Sequence, residues 1–410
     1  MATIPSISFI PSGYKAGKLY SVLPTNGNAD LTVVRNSTAN RINKDGLIES
    51  MAVNVPLLDH SNGLCPSLLL QPQSTNLITY PLSFDNAYWT KSGATVVSGQ
   101  SAPSVDNPTS AFKLVEGSQN EDHLIKSSTG ITVSIGSVTH SYLIKSSGVR
   151  YVALFDASVA EGVFFDLDLG VVGSDFIGST DSSSIKLLGN EFYRISITVT
   201  VTSTASSPRL YLSNNGSTVT YQGDGTSGVY IFGAQLEQQS FATSLMLPNA
   251  EGQTATRFKD EVSKSGLSSE INSVEGTLFV EMAALGDDGT NRVITLNDGT
   301  SANRVQMYFN TSNQIVGGIS AGGSGQANIT HTVDIKSFLK VAFKYGTNDF
   351  ALWINGIKVG EDLIGNAPTG LNALSFDNTG GTLPFYGKVK NIQVYKTALT
   401  DAELIDLTTI

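Results

Sequence analysis

Few of the side chains in this sequence that could do chemistry are paired by their spacing. Asp166 and Asp168, in FFDLDLG, lie two apart and share one face if the segment is a strand. Two acids on one face can serve as general acid and base or hold calcium, although a solvated outer face suits the surrounding alternation better. Retaining glycoside hydrolysis needs two carboxylates about 5–5.5 Å apart. Toward the C-terminus no run of acids would supply them: Glu281 is alone on its strand, and Asp287, Asp288 and Asp298 fall in Gly-rich turns. His60, His123, His140 and His331 show no i, i+2 or i, i+4 pairing, so surface or hydrogen-bonded structural roles are expected. Composition leaves a Ser-His-Asp arrangement open, but no G-x-S-x-G elbow presents a nucleophile. GISAGGSGQAN (318–328) is Gly-rich without a following helix or Gly-Lys-Ser/Thr, which predicts a flexible loop at a sandwich end and not a phosphate cradle.

Sugar binding is the remaining chemistry to weigh. It needs an aromatic face against ring C–H groups and planar polar groups for the hydroxyls. The candidates are Trp89 beside Tyr88, Tyr211 with Arg209 on the same face, and Trp353, opposite in strand phase to Leu352 and Ile354. Ordinary packing against a neighbouring module is the expected role of each ring, most of all of Trp89, and sugar binding the alternative. No catalytic residue, metal ligand or cofactor is expected, with a structural calcium ion left open.

The elements that must position these groups are strands. YRISITVTV sets Tyr193, Ile195, Ile197, Val199 and Val201 on one face, and RLYLS sets Leu210 and Leu212 inward with Arg209 and Tyr211 outward. Further strands are predicted at 111–115, 139–145, 150–155, 163–169 and 229–233. After a polar stretch at 251–272, a linker or bridging strand, the alternation returns. TLFVEMAAL turns Leu278, Val280 and Met282 one way, RVQMYFN turns Val305, Met307 and Phe309, and FLKVAFKYG turns Leu339, Val341 and Phe343. Asn355-Gly356 predicts a hairpin, and Thr400 with Glu403 a capping box for a short C-terminal helix, with Leu399 stapled onto Leu404. Pro5, Pro11 and Pro24 with Gly13, Gly17 and Gly27 break up the start of the chain. The fold class expected is therefore all-β: two antiparallel β-sandwich (jelly-roll) domains at 79–250 and 273–410, preceded by an extended arm at 1–78.

Composition narrows the partners. The chain has 410 residues, 40% apolar and 15% charged, with 40 glycines, which suits a folded, turn-rich protein. A net charge of −10 repels nucleic acid and anionic membranes. The single cysteine, Cys65, excludes an internal disulfide. No basic n-region or membrane-spanning apolar run is visible, so a chain made and kept in a cytosol until something else releases it is expected.

Two resemblances add to this reading. YQGDGTSGVYIFGAQLEQQSFATSLMLPNAEGQTATR (221–257) resembles a closing segment of phage tail and head fibre proteins, where it ends a carbohydrate-binding-module-like jelly roll. RNSTANRINKDGLIE (35–49), CPSLLLQPQSTNLITY (65–80) and FDNAYWTKSG (84–93) precede it in the order of that family, with departures at Met246 to Pro248 and at Gln71. ALWINGIKVG, KVKNIQVYKTAL and TDAELIDL, within 275–410, resemble the C-terminal half of laminin-G-like, concanavalin-type lectin domains.

The resemblances imply a non-enzymatic virion surface protein, a tail or head fibre that adheres to host-surface or mucus glycans. They also imply a homotrimer bound to other virion proteins through the N-terminal arm. A capsid decoration protein and, behind it, a polysaccharide depolymerase are the alternatives.

Overall fold

A computed structural model describes residues 3–410, and apart from one single-turn 3-10 segment and a C-terminal helix its regular elements are strands. The chain forms two compact units. One contains the residues up to Thr38 with Met51–Pro72 and Phe258–Ile410; the other contains Ala39–Ser50 and Gln73–Arg257.

The first unit is built on two antiparallel sheets. One orders Ile357–Asp362, Phe350–Ile354, Leu339–Gly346, Glu275–Ala284, Gly387–Tyr395, Ser67–Leu70 and Leu58–Asp59, with Ile7–Phe9 also paired to Gly387–Tyr395. The other orders Tyr14–Lys15, Lys18–Leu19, Leu31–Val34, Glu261–Ser265, Ala373–Ser375, Arg292–Asn297, Arg304–Phe309, Gln314–Ala321 and Ser324–Thr332. The predicted inward rows, Leu278, Val280 and Met282 and Val305, Met307 and Phe309, all join one buried cluster. At the Asn355-Gly356 turn both residues have positive φ (49° and 84°), the geometry that makes Asn-Gly favour a two-residue hairpin. The helix Asp401–Thr408 carries the expected capping box, and Leu399 and Leu404 share its buried underside.

The second unit is a sandwich of two six-stranded antiparallel sheets. Trp89–Ser92, Leu124–Ser127, Pro208–Ser213, Tyr151–Asp156, Glu161–Asp166 and Val171–Ile177 form one. Ala94–Gln100, Ala111–Glu116, Gly228–Glu237, Gly136–Ser147, Tyr193–Val201 and Ser182–Leu187 form the other. Ile195, Ile197, Val199, Val201, Leu210 and Leu212 meet between them. The fibre-like closing segment has a structural explanation. Glu237, fully buried, accepts hydrogen bonds from Ser74 Oγ (2.8 Å), Thr243 N (3.0 Å) and Gln235 Nε2 (2.6 Å). Asn76 Nδ2 reaches the carbonyls of Ala234 and Met246, each at 3.1 Å. A buried carboxylate and amide need such partners, so the segment returns to clasp its own last strand.

The arm and the linker expected from sequence are not separate pieces. Six short strands between residues 7 and 70 are absorbed into the two sheets of the first unit, where Phe9, Leu31, Val33, Leu58, Leu68 and Leu70 are core residues. The physical reason is that apolar runs this short require a partner surface, and the C-terminal sandwich supplies it. Arg35, fully buried, pins the arrangement: its Nη1 stands 3.0 Å from Asp260 Oδ1, and it donates to the carbonyls of Ser37, Ala52 and Val55. Gln71, the departure noted above, clasps Asp260 through its backbone N–H (2.9 Å). Of the expected linker, Ala255–Arg257 pairs with Ser74–Asn76, and Glu261–Ser265 is a strand between Leu31–Val34 and Ala373–Ser375. Residues 318–328 are likewise a hairpin and not a loop, turning at Gly322-Gly323 with φ of 58° and 80°. No helix among the described residues is long and apolar enough to cross a membrane.

Candidate functional site

The four sequence candidates fall into three environments. Trp89 is core: 2% exposed, it packs against Phe84 and Tyr142, and its Nε1 donates to Tyr80 O (2.9 Å). Trp353 does point away from the sandwich interior, but the C-terminal helix covers it. With Phe279, Ala342, Ala351, Tyr395, Leu399 and Leu404 it forms a separate buried cluster that leaves it 4% exposed. Tyr211 also points outward and is 5% exposed, because Phe155, Phe164 and Phe176 close around it. Of the four, Arg209 alone keeps appreciable exposure, and its Nη1 donates to Tyr211 Oη (3.2 Å). None of the three rings presents an open face for a sugar, which corrects the role expected of them.

The acids and histidines resolve into structural roles. Asp166 takes a bidentate grip from Arg150 (2.9 and 2.6 Å) and accepts the N–H groups of Asp168 and Leu169. Its strand ends there, so Asp168 lies in the turn and the two acids do not share a strand face. His140, Asp156 and Ser206 do converge, with His140 Nε2 2.8 Å from Asp156 and Ser206 Oγ donating to Asp156 at 2.5 Å. All three are buried, and the serine proton points at the carboxylate, so the group holds strands together and has no access to substrate. Burial opposes the charge on Asp156, but His140, Ser158 and Ser206 outweigh it and hold the carboxyl well below the ordinary carboxylate range. Among the described residues no group of three or more His, Cys, Asp or Glu could hold a metal ion.

A polar hollow on the outward face of the nine-stranded sheet is the better candidate. Register sets Ser263 against Ser375 and Thr295, and Ser265 against Ala373, Asn297 and then Arg304. Val262, Leu374, Leu296 and Val305, one position along these strands, face the core, so the first set faces outward. A cavity of ≈ 180 Å³ is lined by Ser263, Ser265, Asn297, Gly299, Ser375 and Thr379 among others, room for about one sugar ring. Asn297 is fixed as a planar amide: its Nδ2 donates to Thr295 Oγ1 (2.9 Å) and Ser375 Oγ (3.2 Å), and its Oδ1 accepts Gly299 N–H (2.9 Å). The hydroxyls of Ser263, Ser265 and Thr379 have no hydrogen-bond partner among the described residues and remain available to a ligand.

The rim of this hollow is strained and its acids are committed. Thr379 has φ +71°, a left-handed conformation that a β-branched residue adopts only when its surroundings force it. Asp377 forces it by accepting the N–H groups of Thr379 and Gly381, both at 2.8 Å. Asp298, on the opposite rim, accepts from Thr300 and Asn303; partial burial opposes its charge, yet these bonds hold its carboxyl below the ordinary range. Farther along the face, Gln306 lies across Gly318, where an added Cβ would stand 2.8 Å from Gln306 Nε2.

Comparison with known proteins divides the chain. Residues 268–405 match the concanavalin A-like lectin/glucanases superfamily, Laminin_G_3. The matched stretch includes Asn297, Ser375 and Thr379, while Ser263 and Ser265 precede it. No curated protein matches the chain. Among solved structures, the chain is similar to the CBM40 of the Ruminococcus gnavus IT-sialidase (19% identity, 34% of this chain and 84% of that one, TM-score 0.30). It is also similar to domains LG4-5 of the mouse laminin alpha1 chain (11% identity, 68% and 86%, TM-score 0.25).

The hollow was not singled out by sequence reasoning, because its walls come from strands around 264, 297 and 374 and a turn at 377–381. Serine, asparagine and threonine carry no signal one at a time. The turn-rich DNTGG at 377–381 and NDG at 297–299 are the visible traces.

Proposed function

We propose that this chain is a non-enzymatic surface protein of a phage particle, a tail or head fibre, that adheres to bacterial-surface or mucus glycans through its lectin-like sandwiches. The observation that carries the glycan-binding part is the hollow on a lectin-type sheet, with a fixed amide, free hydroxyls and a strained rim. The free hydroxyls of Ser263, Ser265 and Thr379 match the hydroxyl pattern of a sugar, Asn297 fixes the floor beneath them, and a site of one-ring size binds weakly. Several copies on one fibre would raise the avidity, which suits the trimer that the fibre resemblance implies. The commitment of Asp298 and Asp377 to their own turns favours binding over acid-base chemistry. In this reading attachment to the particle falls to surfaces other than the strands between residues 7 and 70, which are already paired.

The test is a glycan array of bacterial-surface and mucin sugars probed with the full chain and with Ser263→Trp, which fills the hollow from an exposed position. Wild-type binding that falls about tenfold or more in the variant is expected. A wild type that binds no glycan sinks the proposal, and oligosaccharide release from any bound glycan sinks its non-enzymatic part. Immunogold on particles of the encoding phage checks location: unlabelled particles count against a virion role.

A further inference from the structure

The outward face of the other unit places two cations side by side with no ion-pair partner among the described residues. In the register of that sheet Lys126 stands directly opposite Arg209, and Arg209 opposite Phe155. Like charges directly opposite across strands repel, so such a pair is normally offset by a carboxylate nearby. Neither side chain has an ion-pair partner among the described residues, and the acid on the same strand face, Asp122, is taken by Thr220 Oγ1. Arg209 is held from below, its guanidinium 5.9 Å from the Phe155 ring centre and bonded to Tyr211 Oη. Its Nε is buried and has no hydrogen-bond partner, which leaves the outer guanidinium nitrogens as the donors for a ligand. Phe155, Phe164, Phe176 and Tyr211 are thus the floor beneath the guanidinium, while Lys126 and Arg209 are each partly exposed.

We infer that this face is a second binding site, which takes the oxyanion of an acidic sugar between Lys126 and Arg209. The choice of a saccharide rests on the glycan-binding reading above; the choice of an anion rests on the uncompensated cations. The guanidinium offers a planar donor edge and the ammonium a mobile charge beside it, a combination that favours a carboxylate or sulfate over a neutral hydroxyl.

Titration calorimetry on the full chain decides it, with a galacturonic acid trisaccharide, a neutral galactose trisaccharide and inorganic sulfate as probes. The acidic trisaccharide is expected to bind about tenfold or more tightly than the neutral one, with affinity falling as salt is raised. The preference persists in Ser263→Trp, because that variant changes the other unit. Lys126→Glu removes the preference and also raises the melting temperature, because it supplies the missing counter-charge; a loss of binding through misfolding would lower it. An acidic trisaccharide no tighter than the neutral one, an unchanged preference in Lys126→Glu, or sulfate competing as well as the sugar each overturns the inference. If the neutral sugar still binds in a Ser263-dependent way, the inference fails alone; if the wild type binds neither sugar, the glycan-binding reading fails with it.

Discussion

In each unit one carboxylate and its basic partner are both fully buried, but the two pairs tie together different lengths of chain. Arg35 and Asp260 are 225 residues apart and hold an N-terminal segment into a sandwich made mostly of C-terminal sequence. His140 and Asp156, with Ser206, join neighbouring parts of a single sandwich. A guanidinium brings five fixed donors, and Arg35 spends three of them on the carbonyls of Ser37, Ala52 and Val55 as well as meeting Asp260. In the second the Asp156 carboxyl is held well below its ordinary range, and acid that protonates it undoes the pair.

The largest effect should come from breaking the long-range pair. Asp260→Asn leaves the Arg35 charge buried without its carboxylate and is expected to cost about 3–5 kcal/mol. Denaturant unfolding followed by hydrogen exchange should show the strands between residues 7 and 70 losing protection. Protection retained there would mean that sheet pairing alone holds them.

Acid sharpens the comparison from the other side. Because the folded Asp156 carboxyl sits below its unfolded value near about 3.9, its stabilisation is complete above that pH and is lost as the pH falls toward the folded value. Urea melts from pH 5 down to about 2 should therefore lose stability in wild type. Asp156→Asn should start less stable and lose less over the same range; parallel curves would contradict the assignment.

The smallest effect isolates the helix that hides Trp353. Thr400→Ala removes the cap that accepts from Glu403 N–H and should cost about 0.5–2 kcal/mol. Rising Trp353 accessibility to a soluble quencher, with glycan binding unchanged, would agree with a covering role. A change in binding would return Trp353 to the ligand surface.

Sequence by itself determined the strands, their inward rows, the Asn355-Gly356 hairpin and the helix cap. Each of these follows from a period of two or from a local turn and cap chemistry that needs no distant partner. It also put Arg209 and Tyr211 on one outward face and Trp353 in outward phase, which the register bears out. Tertiary structure decided what covers those faces: a helix 50 residues beyond Trp353, and a cluster of phenylalanines around Tyr211. It also decided that the strands between residues 7 and 70 are no free arm, because pairing between distant strands and the burial of Arg35 against Asp260 are written in no local pattern. The hollow depends on four separated segments meeting at one sheet face, which alternation can orient but only the strand order can assemble.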